Sequence, residues 1–212
     1  MKPIKTNGIT NLNSFDGCQE WYWGTDYSCG DLYEAEEVFL MGHSFIPNRR
    51  VFGHYPEGQV YEPICAGENQ YLGVPAFVDG VIYGLLADFK ERKIYILKCS
   101  EDMKSVEPEV TLSLDNVQDC YNLLLKGSPL MLTRQGADNR FQIIWPEKAD
   151  FSIGVRESFL FREDDKLFFS EWQEDETYWE EVNIREISTG KLLEKLSGTE
   201  MTMPDGQKWL LK

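Results

Sequence analysis

The chain has 212 residues, 42% of them apolar and 13% aromatic, a composition that buries a core without disulfide or metal staples. Its 36 acidic and 21 basic residues give a formal net charge of -15, a field that repels phosphate backbones and anionic lipid heads and so argues against nucleic acid or a membrane surface as partner. No stretch approaches the ~20 apolar residues of a membrane span.

Met1 to Leu12 carries Lys2 and Lys5 but no apolar core of a secretory signal. The five cysteines, Cys18, Cys29, Cys65, Cys99 and Cys120, are odd in number and widely spaced, with no Cys-x-x-Cys pair. A disulfide framework is disfavoured, and a reducing, cytoplasmic setting is expected.

Helix signals are sparse. Glu34 to Leu40 has room for a turn or two of helix but runs into the β-like Val38-Phe39-Leu40. Asp115 to Lys126 ends in the unbroken run Leu123-Leu124-Leu125, which reads as a helix or equally as a buried strand. Strand signals are abundant. Val81-Ile82-Tyr83, Ile94 to Leu97, Phe141 to Trp145, Ser158 to Phe161 and Leu167 to Phe169 are short apolar runs rich in β-branched and aromatic residues. Glu109 to Leu114 alternates, with Val110, Leu112 and Leu114 on one side.

Turn residues recur just before apolar runs. Asp16-Gly17 precedes Trp21 to Trp23, Asp79-Gly80 precedes Val81, and Gly127-Ser128 precedes Leu130 to Leu132. Asp164-Asp165 precedes Leu167, and Asp205-Gly206 precedes Trp209 to Leu211. Asp-Gly between apolar runs is a hairpin signal, because both residues tolerate positive φ. The intervals are roughly 63, 47, 37 and 41 residues, three of them near one propeller blade. Residues 158–196 divide into four strands, Ser158 to Phe161, Leu167 to Trp172, Trp179 to Ile187 and Lys191 to Leu196. Residues 75–114 divide the same way.

On these turns and meanders the chain resembles the β-propeller class. The resemblance implies a single all-β domain over 1–212, with four to five blades. Met201 to Lys212 would begin a blade that the N-terminal segment completes, closing the ring without a free edge. No repeating Gly-His and Trp-Asp signature of WD40 repeats accompanies Gly42-His43 or Gly53-His54. A β-sandwich or twisted open sheet of similar strands is the alternative fold.

Motifs for chemistry are few. There is no Gly-x-Ser-x-Gly elbow and no Gly-rich phosphate loop. Cys29, His43, His54 and Cys65 stand roughly 11 to 14 residues apart, too far for the close ligand pairs of a zinc site. No metal and no cofactor are expected. Arg49-Arg50, the lone pair of adjacent arginines, does not make a nucleic-acid footprint.

Two clusters mix acids with aromatics. The first sets Asp26, Asp31, Glu34, Glu36 and Glu37 beside Trp21, Tyr22, Trp23, Tyr27 and Tyr33. The second runs from Glu171 to Glu181, with Trp172, Tyr178 and Trp179 among Glu174, Asp175, Glu176 and Glu180 and no basic residue. Either suits a non-enzymatic module that docks a basic protein, with rings as anchors; neutralising a basic toxin or nuclease, an immunity-type role, is one concrete form. The candidate binding residues are Trp21, Trp23, Asp26, Tyr27, Trp172, Glu174, Tyr178, Trp179 and Glu180. The competing expectation is carbohydrate binding or glycoside hydrolysis, with the tryptophans stacking sugars and Asp26 or Glu34 as acid or nucleophile, which requires two carboxyls about 5 to 9 Å apart.

Overall fold

A computed structural model describes residues 1–28, 30–174 and 178–212. It is a four-bladed β-propeller of antiparallel sheets, three of four strands and the second of five. The first blade contains β1 (Asn13–Phe15), β2 (Cys18–Thr25), β3 (Arg50–His54) and β4 (Gln59–Tyr61), with helix α1 (Leu32–Leu40) inserted between β2 and β3. The second holds β5 (Gln70–Leu72), β6 (Ala76–Val78), β7 (Val81–Asp88), β8 (Lys93–Cys99) and β9 (Val106–Ser113). β5 and β6 share β7 as partner. The third runs β10 (Leu123–Lys126), β11 (Met131–Gln135), β12 (Arg140–Trp145), β13 (Ala149–Ser152). The fourth runs β14 (Glu157–Glu163), β15 (Lys166–Glu174), β16 (Tyr178–Glu186), β17 (Leu192–Ser197).

The first four recurring turns close the hairpins β1–β2, β6–β7, β10–β11 and β14–β15. Asp79 and Gly80 both take positive φ, 50° and 81°, the geometry a two-residue hairpin needs to match strand twist. The fifth turn, Asp205-Gly206, belongs to a separate hairpin of β18 (Thr199–Thr202) and β19 (Lys208–Leu211). This corrects the expected ring closure. Among the described residues β18 and β19 pair with each other and with no strand of the first blade, so the two ends share no blade there.

Blade stacking explains the patterning. β7 is buried on both sides, with Ile82 and Leu86 in a core with the first blade and Leu85 and Ala87 in a core with the third. A sheet sandwiched between two others needs apolar residues at both parities. A third core, around Met131, Phe141, Phe159 and Phe169, joins the third and fourth blades.

Side chains also staple neighbours. Buried Asn48 brackets the backbone of Leu72, accepting from its N–H at 2.7 Å and donating to its carbonyl at 2.8 Å. Gln135 repeats the device one junction on, donating to the Glu157 carbonyl at 2.7 Å and accepting from the Phe159 N–H at 3.0 Å. Two strong ion pairs lie inside the blades: Arg134 with Asp119 and Arg185 with Glu157, each with two N–H···O contacts.

α1 is the sole α-helix among the described residues, and no helix there is long and apolar enough to cross a membrane. Asp115 to Lys126 resolves into one 3-10 turn over Leu114–Asn116 and the strand β10.

Candidate functional site

The acid-aromatic cluster of the fourth blade lies on the β15–β16 hairpin, where strand alternation decides what it presents. In the register, Trp172 is opposite Glu180 and Glu174 opposite Tyr178, while Gln173 faces Trp179. Cross-strand partners share a face. Trp172, Glu174, Tyr178 and Glu180 therefore occupy one face, and Trp179 occupies the other with Glu171 and Glu181. On the first face the two rings are solvent-exposed, Trp172 by 45% and Tyr178 by 63%. The Tyr178 hydroxyl donates to Glu180 Oε1, and this bond is the main cause of the phenol's raised pKa. Thr199 Oγ1 donates to the other Glu180 oxygen.

On the second face the acids are not free. Lys195 of β17 reaches Glu171 at 2.8 Å and Glu181 at 3.1 Å. The Lys195 hydrogen bond, helped by Asn183, holds the Glu171 carboxyl below its ordinary range. The hairpin is thus less acidic than residues 171–181 read alone, because its neutralising base lies one strand further along. Asp175 and Glu176 lie outside the described residues.

The first cluster is divided: Trp23, Tyr27, Asp31 and Tyr33 line a common cavity and the rest do not. Trp21 packs against His54, with ring centroids 4.6 Å apart, and against Tyr61. Trp23 lies over the Arg50 guanidinium, 4.7 Å from its centre. The carboxylates expected to do chemistry are engaged in structure. Asp26 accepts the Arg49 backbone N–H at 3.0 Å. Asp31 and Glu34 form a capping box at the start of α1, each accepting the other's backbone N–H. Glu36 is buried and accepts the Cys120 N–H at 2.6 Å. Asp-x-x-Glu ahead of a helix was the readable signal for that box.

The first strands of all four blades meet around one cavity of about 280 Å³, which Ser14, Phe77, Lys126 and Phe161 line together with Thr202, Gly206 and Lys208 of the C-terminal hairpin. A second cavity, of about 220 Å³, shares Trp23, Val74 and Leu124 with it and is also lined by Thr25, Tyr27, Asp31, Asn48 and Arg50. Trp23 and Tyr27 are the predicted residues that reach the axis. Asp31, the carboxylate lining the smaller cavity, has no second acid beside it there among the described residues, so the pair that glycoside hydrolysis requires is not assembled at that point. Lys126 and Lys208 carried no sequence signal and Arg50 was read only as one of two adjacent arginines, because which bases line a cavity is decided by tertiary structure.

Among the described residues no His, Cys, Asp and Glu side chains gather as a metal set. His54 Nδ1 lies 2.8 Å from Glu57, Cys65 is a free exposed thiol, and Cys29 lies outside the described residues. No protein-family model and no curated protein matches the sequence.

Proposed function

We propose that this propeller is a binding module that docks a basic segment of a partner protein on the β15–β16 hairpin. The observation that carries the reading is the checkerboard of exposed Trp172 and Tyr178 with Glu180 and Glu174 on one face of two paired strands. Each ring lies directly opposite a carboxylate, Trp172 with Glu180 and Tyr178 with Glu174, and such partners have Cβ atoms about 4.5–5.5 Å apart, so one Lys or Arg side chain can lie on a ring and reach a carboxylate at once. Cation–π contact contributes about 0.5–1 kcal/mol at exposed sites. The net charge of -15 adds long-range attraction for a basic partner. A rigid β scaffold holding the hairpin limits the entropy lost on docking.

The test is a calorimetric titration with an oligo-arginine peptide at low and high salt. Wild type is expected to bind at low salt and to weaken as salt is added. Trp172→Ala with Tyr178→Ala is expected to weaken binding about tenfold. Tyr55→Ala, which removes an exposed ring from the first blade, is expected to change nothing. Equal affinity for wild type and the double variant would remove the hairpin from consideration.

A further inference from the structure

Three bases line the cavities along the propeller axis of this acidic molecule. Bases such as Arg49, Arg134, Arg185 and Lys195 lie within 4.0 Å of a carboxylate. Arg50, Lys126 and Lys208 make no ion pair among the described residues, and all three line the axial cavities.

Arg50 is 4% exposed. Its Nη2 donates to the Leu72 carbonyl at 3.0 Å and the Gly73 carbonyl at 2.8 Å. Its buried Nη1 has no acceptor among the described residues, and neither does the buried hydroxyl of Thr25, which is 7% exposed. Both residues line the 220 Å³ cavity, beside the first turn of α1. A buried charge with an unused donor is costly unless an opposite charge joins it, and helix N-termini favour anions. Asp31 also lines this cavity, but its carboxylate faces an N–H of its own helix.

In the adjoining cavity Lys208 Nζ sits 4.8 Å from the Phe161 ring centroid and donates to Thr202 Oγ1 at 2.5 Å. Lys126 Nζ sits 5.7 Å from the Phe159 ring, has no hydrogen-bond acceptor among the described residues, and is pushed down in pKa chiefly by burial, with Asp16 opposing and Lys208 adding to the shift. The exposed Asp16 is the carboxylate lining that side. Burial at Arg50 likewise lowers its pKa, to about 10, so it stays charged at neutral pH.

We propose that the axial channel is a binding site for a small organic oxyanion, a carboxylate or phosphate ester, held by Arg50 and Thr25, with its apolar body against Trp23 and Leu124 and with Lys126 and Lys208 extending the positive field. Cavities of 220 and 280 Å³ suit a ligand of roughly ten heavy atoms, since a water occupies about 30 Å³. This inference concerns another part of the molecule and does not rest on the hairpin reading.

The experiment is calorimetry and thermal shift of the full chain with benzoate and phenyl phosphate, against benzyl alcohol and benzylamine as neutral and cationic counterparts. At least one anion is expected to bind at one site per chain and raise the melting temperature, with the preferred anion naming the head group. The neutral and cationic compounds are expected to bind at least tenfold more weakly. Arg50→Met should abolish binding, and Lys126→Met with Lys208→Gln should weaken it about tenfold. If Arg50→Met fails to fold by circular dichroism, the lysine pair and the shift of the Trp23 indole N–H resonance on titration decide. The proposal is overturned if neither anion binds at millimolar concentration, if benzyl alcohol binds as tightly, or if binding survives the charge-removing variants. Trp172→Ala with Tyr178→Ala should leave anion binding unchanged, which separates the two sites.

Discussion

Glu36 is 8% exposed on α1, and its carboxylate accepts the Cys120 N–H at 2.6 Å. Desolvation pushes its pKa up; the Cys120 hydrogen bond opposes that without cancelling it, and Asp119 raises it further while Arg92 lowers it. A carboxyl whose folded pKa lies above its unfolded one favours the folded state in its protonated form. Its contribution is fully present below the unfolded value, about 4.3, and is lost as pH rises through the folded value. Glu36→Gln keeps an oxygen for Cys120 and never ionises. The variant is expected to melt like wild type near pH 4 and above it at neutral pH, a difference that thermal melts across this range would measure. A difference independent of pH would show that the carboxyl is not the cause. Burial also raises the thiol of Cys99, to about 11, and that of Cys120, so neither is a thiolate at neutral pH. At this scale the sequence was least informative. Asp31, Glu34 and Glu36 have the composition of a catalytic cluster, and only their hydrogen bonds show two of them capping a helix and the third tying it to the third blade.

Strand positions were legible because turn chemistry and apolar runs are local. The four strands read from 158–196 correspond to β14 through β17, and those read from 75–114 to β6 through β9. What was not legible was which face each strand presents, since that depends on what stacks against it. β7 is buried on both faces, whereas β17 is exposed along nearly its whole length, including Leu192 and Leu193. The same parity puts Trp172 and Tyr178 on one side of their hairpin and Trp179 on the other. α1 was legible as a turn or two, and its capping box makes it a nine-residue helix. β2 shows how a segment outside the blades is held. A Cβ at Gly24 would lie 2.6 Å from the Asn11 carbonyl oxygen and 2.7 Å from Ile9 Cγ2, so the N-terminal segment packs on bare backbone there. Gly24→Ala is expected to cost about 1–3 kcal/mol, the usual range for overpacking, and to speed hydrogen exchange at Ile9, whose N–H now donates to the Thr6 carbonyl at 3.2 Å. Unchanged melting and unchanged protection would mean the segment does not depend on that glycine.

Three buried cores join the first blade to the second, the second to the third and the third to the fourth. Among the described residues no such cluster joins the fourth to the first. The C-terminal hairpin occupies that junction: a Cβ on Gly17 would lie 3.4 Å from Gly206 Cα, and Lys208 covers the Phe161 ring. Every blade already has at least four strands without it. The two modes of closure make opposite demands. A blade built from both chain ends needs its C-terminal strands in order to exist, whereas a hairpin that plugs a junction only protects it. A chain ending at Gly198 is therefore expected to retain the β circular dichroism of the full chain and to unfold cooperatively. It should melt lower, by about 2–4 °C for each kcal/mol lost, and bind more apolar dye as Leu160 and Phe161 become accessible. The removed residues carry two acids, Glu200 and Asp205, and two bases, Lys208 and Lys212, so the net charge stays at -15 and electrostatic self-repulsion is unchanged. A truncated chain with no folded signal would mean that the hairpin is integral to a blade, and one with an unaltered melting point would mean that the fourth blade and the first hold each other without it.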